Sequence, residues 1–182
     1  MRSRPGGEIG DELPGSPTEF RRADTAEHEK IFRMGFDVWS DGMPLEAYIT
    51  ACHGSRKYAR GRWYVLCVDG EPVSSALVHD FPAWGDHVVR GVGSLATRPD
   101  KRKQGLAGGL LDELTSFLAR AENASVTFLY SDIDSGFYAK RGYVALDARY
   151  QRYPEAVMMV SLGAGVPGRI LEENAERLPA YF

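Results

Sequence analysis

The sequence predicts a mixed α+β domain, with one central, mostly antiparallel sheet flanked by helices. Three observations carry this. β-rich runs at Trp63–Val68, Pro72–His79 and His87–Thr97 follow one another through short turn signals, the pattern of an antiparallel meander. Leu106, Leu110, Leu114, Phe117 and Ala121 then mark one stripe of an amphipathic helix. A further β-rich run, Val126–Tyr130, follows that helix, so the centre reads as one β-α-β unit with a parallel pair.

Taken in order, residues 1–18 combine glycine, proline and scattered charge, a composition that cannot bury enough apolar surface to offset the entropy of ordering. They are expected to be a flexible tail. Phe20–Arg22 reads as a short strand, and Asp24 with Glu27 is an aspartate version of the capping box. Ile31, Phe32, Gly35, Phe36 and Trp39 at helical spacing extend a first helix from about Thr25 to Trp39. A short helix is expected over Leu45–Cys52 after Pro44, and the basic run Ser55–Arg62 as a solvated loop.

Asp69-Gly70 is a two-residue hairpin signal between the first two strands of the meander, and Pro82–Asp86 is the expected second turn. After the central β-α-β unit, Phe137–Gly142 predicts a short helix closed by its glycine. Val144–Tyr153 and Ala156–Leu162 predict a closing hairpin turning at Pro154-Glu155. Residues 163–182 form a C-terminal extension, expected to be helical through Ile170, Leu171, Ala175 and Leu178. Its expected role is packing on the body or on another subunit, with a homodimer among the open arrangements.

With 182 residues, 43% of them apolar, the chain has enough material for one core and too little for several domains. Its 22 basic and 25 acidic residues leave a formal charge of −3, which argues against nucleic acid as a partner. Cys52 and Cys67 are too few for a disulfide framework and have no metal-ligand spacing, so a reducing, cytoplasmic setting and no metal are expected. No apolar run is long enough for a membrane span or a signal core.

The segment that carries chemistry runs from Gly93 to Gly108. A strand ends, Arg98, Lys101, Arg102 and Lys103 cluster, and Gly105, Ala107 and Gly108 open the amphipathic helix with almost no side chain. Unsatisfied backbone N–H groups and the positive dipole end of a helix favour an anion there, phosphate above all. The Walker P-loop is excluded because no Gly-Lys-Ser/Thr is present. The dinucleotide fingerprint fails too, because Gly-x-Gly-x-x-Gly is not matched and a meander precedes the turn.

Arg102-Lys-Gln-Gly105-Leu-Ala107 resembles the Arg/Gln-x-x-Gly-x-Gly/Ala signature of the GNAT superfamily of acetyl-CoA-dependent N-acetyltransferases. Leu95–Pro99 resembles that family's fourth strand, and Phe137-Tyr138-Ala-Lys-Arg-Gly142-Tyr143 its Phe-Tyr-x-x-x-Gly-Phe element. The resemblance spans about Phe20 to Leu162, so residues 19–162 would be the acetyltransferase domain, with the GNAT fold.

The resemblance implies acetyl-CoA as cosubstrate, its pyrophosphate cradled by Arg102, Lys103, Gln104, Gly105, Leu106, Ala107 and Gly108. The backbone of Leu95, Ala96 and Thr97 would hold the pantetheine arm and polarise the acetyl carbonyl. Tyr138 would touch the cofactor and give a proton to the leaving thiolate, a fitting role for a phenol. Some family members carry a Glu or a His as base on the fourth strand; the matching positions here are Gly93 and Gly91. His79, Asp80 and Asp132 are the other candidates, acting through water.

Direct attack in a ternary complex is expected rather than acylation of Cys52 or Cys67, since a thiolate is disfavoured among apolar strand residues. The acceptor stays open: a small amine, an amino acid such as lysine, or a peptide. Asp80, Asp86, Asp132 and Asp134 near the expected cleft would favour a cationic one. A non-catalytic acyl-CoA sensor or an interaction module on the same fold are the alternatives.

Overall fold

The computed structural model describes residues 18–182, so all of the expected tail except Thr18 lies outside the described residues. Seven strands make one sheet: β1 (Thr18–Arg22), β2 (Arg62–Val68), β3 (Glu71–Trp84), β4 (His87–Thr97), β5 (Ala124–Ser131), β6 (Val144–Ala145) and β7 (Val157–Leu162). Their order is β1-β2-β3-β4-β5-β7-β6, antiparallel throughout except for the parallel β4–β5 pair. The α5 helix (Leu106–Ala121) makes the crossover between those two strands. The expected α+β architecture with one central β-α-β unit is the observed one.

Local chemistry explains the elements that match. Asp69 and Gly70 both take positive φ, +51° and +78°, which lets a two-residue turn follow the twist of β2 and β3. The Glu27 carboxylate accepts the Asp24 N–H at 2.9 Å, as a capping box requires, and also grips Arg21 through two bonds of 2.7 and 2.8 Å. That guanidinium holds the Glu27 carboxyl down to about 2.

Several expectations are corrected. The first helix is segmented into a 3₁₀ turn (Thr25–Glu27), α1 (His28–Met34) and α2 (Phe36–Trp39), with the break at Gly35. A side chain at Gly35 would occupy the space of the Trp39 indole, so the break lets that ring fold back. The α3 helix (Leu45–Gly54) is as expected, but the basic run after it is a helix, α4 (Arg56–Arg60), opened by Ser55, whose hydroxyl accepts the Tyr58 N–H.

The meander's second turn is tighter than Pro82–Asp86. β3 continues through Pro82 over a bulge, and the chain reverses at Gly85, at φ +59°. The short helix after β5 is α6 (Gly136–Ala139). No long hairpin closes the sheet: β6 is two residues long, and a 3₁₀ turn (Ala148–Tyr150) follows. The Gln151 amide bonds Leu146 O, Met158 O and Met158 N–H at 2.8–3.1 Å and takes over the ladder's bonds. The C-terminal extension is one α-turn, α7 (Ile170–Glu173), and a 3₁₀ turn (Ala175–Arg177), ended before Pro179.

The core has two sides. Leu110, Leu111, Leu114 and Leu118 of α5 are fully buried against Tyr64, Val78 and Leu129. On the opposite face α1 and α3 cover β2 and β3 through Ile31, Phe32 and Ile49. There the C-terminal segment covers β5 and β7 through Ile170 and Leu178. Between these two clusters, among the described residues, no helix covers the last residues of β4 on this face, and the cleft lies there.

Candidate active site

The cleft begins where the parallel strands part. β4 pairs with β5 from Val88 to Val92; its remaining residues have only β3 beside them. One extra residue sits on β4 between the pairs Leu77–Gly93 and Ser75–Ala96, and Ser94 takes φ +48°, uncommon for a side-chain-bearing residue. This bulge bends the strand end and turns the edge of Leu95–Thr97 into open space.

Beyond β4 the chain makes a 3₁₀ turn at Pro99–Lys101 and reaches Gly105, the α5 N-cap, at φ +78°. The left-handed geometry favours glycine. The first intrahelical bond is donated by Gly109 to Gly105 O, so the N–H groups of Leu106, Ala107 and Gly108 open the helix as free donors.

Those donors face a cavity of about 410 Å³ whose floor is Leu95, Ala96 and Thr97 and whose far wall is Asp132, Ile133, Phe137 and Tyr138. Its roof comes from Met34, Gly35, Val38 and Trp39. A second cavity of about 280 Å³ adjoins it and shares Trp39, Leu95, Asp132 and Tyr138.

Tyr138 is buried at this junction, edge-on to Phe137 and Tyr143. Burial first, and the Asp132 charge second, push its phenol above its ordinary value, so it keeps its proton across the working pH range.

The four basic residues of the turn divide. Arg98 pairs with Asp100 and lies outside the cavity. Arg102 spends its guanidinium on Asp37 at 2.6 and 2.7 Å, on Met34 O and on Thr97 O, so its side chain braces α1 and α2 over the cleft. Lys101 and Lys103 line the cavity and form no ion pair among the described residues. Gln104 is exposed and does not line it.

The profile of the acetyltransferase (GNAT) domain family matches residues 59–145, from α4 through the turn and Tyr138 to β6. Residues 59–145 are thus a GNAT acetyltransferase domain. No curated protein matches the sequence. Solved structures share its GNAT fold at low identity. The PaiA N-acetyltransferase of Thermoplasma acidophilum, in complex with coenzyme A, is 12% identical with a TM-score of 0.60, over 80% of this chain and 99% of that one. Rv2747 of Mycobacterium tuberculosis, in complex with CoA and NLQ, is 16% identical with a TM-score of 0.56, over 79% and 98%. A conserved protein of Enterococcus faecalis V583 is 16% identical with a TM-score of 0.55 over 70% of this chain, which spans only 32% of that longer one.

Within this domain the space over Gly91 and Gly93 is not open. A side chain at Gly91 would come within 2.6 Å of both Phe182 and Phe81, because the Phe182 ring lies on the strand. The last residues are anchored there: Tyr130 Oη donates to Pro179 O at 2.9 Å, and Tyr181 N–H donates to Tyr153 Oη at 3.2 Å. The two glycines therefore admit the chain's own aromatic terminus where some GNAT members place a base.

His79 is buried, lines neither cavity, and stacks edge-on with Phe182, with its Nε2 unpartnered. Asp80 is taken up by Arg62 and Arg90, and Asp134 by the Gly136 N–H. Asp86 lies on the turn at the far end of β4. Of the expected acidic group only Asp132 reaches the cavities, so an acidic cleft is not what the fold builds. Cys52 and Cys67 are buried outside both cavities, and burial raises both thiols. Among the described residues no His, Cys, Asp and Glu cluster could hold a metal, and no helix is long and apolar enough to cross a membrane.

The sequence reading missed Lys57, Tyr58, Tyr181 and Phe182, which line the second cavity. Three aromatic rings and an amphipathic lysine in segments read as solvated or as a peripheral helix were the only local signal.

Burial, reinforced by the Lys57 charge, lowers His79 to about 4 from an ordinary 6.5. Between those values the unfolded chain binds the extra proton, so stability rises with pH across this window and levels off above it. It amounts to on the order of 3 kcal/mol. Thermal unfolding at pH 4 to 7 is expected to show that slope, and His79→Leu to remove it. An unchanged slope in the variant would assign it to other groups.

Proposed function

We propose that the protein transfers an acetyl group from acetyl-CoA to a primary amine by direct attack in a ternary complex. One observation carries the reading: the free N–H groups opening α5, the unpaired end of β4 and the Tyr138 phenol face a single cavity. That two structural neighbours hold coenzyme A supports the choice of cosubstrate.

The pyrophosphate fits the N–H groups of Leu106, Ala107 and Gly108, with Lys101 and Lys103 supplying positive charge. The acyl-bearing arm would lie along Leu95–Thr97, whose backbone polarises the thioester carbonyl. The acceptor arrives as an ammonium and loses a proton to water held by Asp132, which lines both cavities. The amine nitrogen then forms the C–N bond to the acetyl carbon and sheds its second proton to water. As the C–S bond breaks, Tyr138 gives its proton to the sulfur, and solvent reprotonates the phenol. The products are an N-acetylated amine, free coenzyme A thiol and one proton released to water.

A second reading, a non-catalytic acyl-CoA sensor, is favoured by the Phe182 ring over Gly91, where no base can stand. Calorimetric titration with acetyl-CoA, followed by a thiol-release assay with a panel of amines, separates the two. The acetyltransferase reading expects binding and amine-dependent thiol; binding without thiol from any amine selects the sensor, and no binding rejects both.

A further inference from the structure

The second cavity carries charge of both signs. Lys57, on α4, and Asp132, after β5, are the charged side chains of its lining, and neither forms an ion pair within 4 Å among the described residues. They sit at different depths relative to the first cavity. Asp132 and Tyr138 line both spaces, whereas Lys57 lines only the second. The Lys57 ammonium lies 5.8 Å from the ring centres of Tyr58 and Tyr181, within cation–aromatic range. Burial pushes its amine below the ordinary value and the Asp132 charge opposes that shift, so a carboxylate beside it would favour the charged form.

We infer that the acceptor is a small free amino acid: its carboxylate on Lys57 and its amine beside Asp132 and Tyr138. The inference rests on the acetyl-transfer reading above and names the substrate class of that site. A cationic diamine would leave the Lys57 charge facing a like charge, which is destabilising in a partly dehydrated pocket. A neutral amine would leave it unpaired. A carboxylate on Lys57 satisfies it, and an ammonium at the other end meets Asp132 before losing its proton.

Size points the same way. About 280 Å³ lies just below the usual span of small-molecule pockets, about 300–1,000 Å³. Phe182 on Gly91 and Gly93 occupies the length of β4 that an extended peptide would need.

The test uses matched pairs, each amino acid against the amine that lacks only its carboxylate, such as phenylalanine with phenethylamine and lysine with cadaverine. Binding to the coenzyme A-loaded protein is measured by calorimetry, and turnover by thiol release. At least one acid is expected to exceed its decarboxylated partner by about tenfold or more in kcat/KM, the scale of one charge-assisted contact. Lys57→Met is expected to bring that ratio close to one, chiefly through KM, and Lys57→Arg to restore part of it.

Equal use of acids and amines, or a ratio that Lys57→Met leaves intact, overturns the inference while the acetyltransferase reading stands. Carboxylate-dependent binding that needs Lys57 but yields no thiol keeps the inference and overturns the transfer. Neither binding nor turnover overturns both.

Discussion

Tyr138→Phe is expected to lower kcat by about 10²-fold or more, the usual scale for losing a positioned acid. The acetyl-CoA dissociation constant is expected to change little, because the ring keeps its packing. The phenol is buried between Phe137 and Tyr143 and makes no hydrogen bond within the described residues, so removing its oxygen leaves no partner unsatisfied. A fold effect would therefore be small, and a thermal midpoint close to that of the unmodified chain separates chemistry from folding. Single-turnover thiol release is the measurement; turnover equal to that of the unmodified chain would remove Tyr138 from the acid's role.

Gly105→Val is expected to act on binding instead. Gly105 holds φ +78°, a conformation that costs an L-residue about 1–2 kcal/mol and a β-branched one more. Among the described residues nothing lies within 4 Å of where its side chain would start, so the cost is conformational rather than a clash. Calorimetry is expected to show acetyl-CoA affinity reduced by about tenfold or more, since the turn must move the N–H groups of Leu106 and Ala107 to relieve the strain. Undiminished affinity would place the pyrophosphate elsewhere.

What the sequence disclosed follows from how far apart the interacting residues are. The stripe Leu106–Ala121, the Asp69-Gly70 turn and the Gly105 N-cap are local patterns, and each appears where its residues predict. They suffice for the sheet's meander, the parallel crossover and the anion-binding end of α5. Elements that depend on distant partners were not legible. Arg102 reads as a phosphate ligand from its neighbours, yet its charge is met by Asp37, 65 positions away. Tyr153 pairs with Ala156 across the expected turn, but the ladder stops there, and the Gln151 side chain bonds the backbone of Leu146 and Met158 instead.

The two glycines of β4 show the same limit most clearly. From the sequence they leave a gap where a base is wanted; in the fold the gap holds Phe182, brought back by Leu178 in the core and by the Tyr130 bond to Pro179. The placement of Tyr138 was legible because its spacing from the Gly105 turn is set by one helix and one strand. Lys57 was not, because only the tertiary fold carries a basic surface helix to the Tyr181 ring.

Acetyl transfer is proposed to take place at the junction of the two cavities. Its most direct test is mass spectrometry of an amine panel incubated with the protein and acetyl-CoA labelled in the acetyl group. The expected result is at least one amine gaining one labelled acetyl in step with free thiol, abolished by heat-denaturing the protein. Acetyl-CoA bound at the α5 turn with no labelled amine, across free amino acids, diamines and peptides alike, would contradict it.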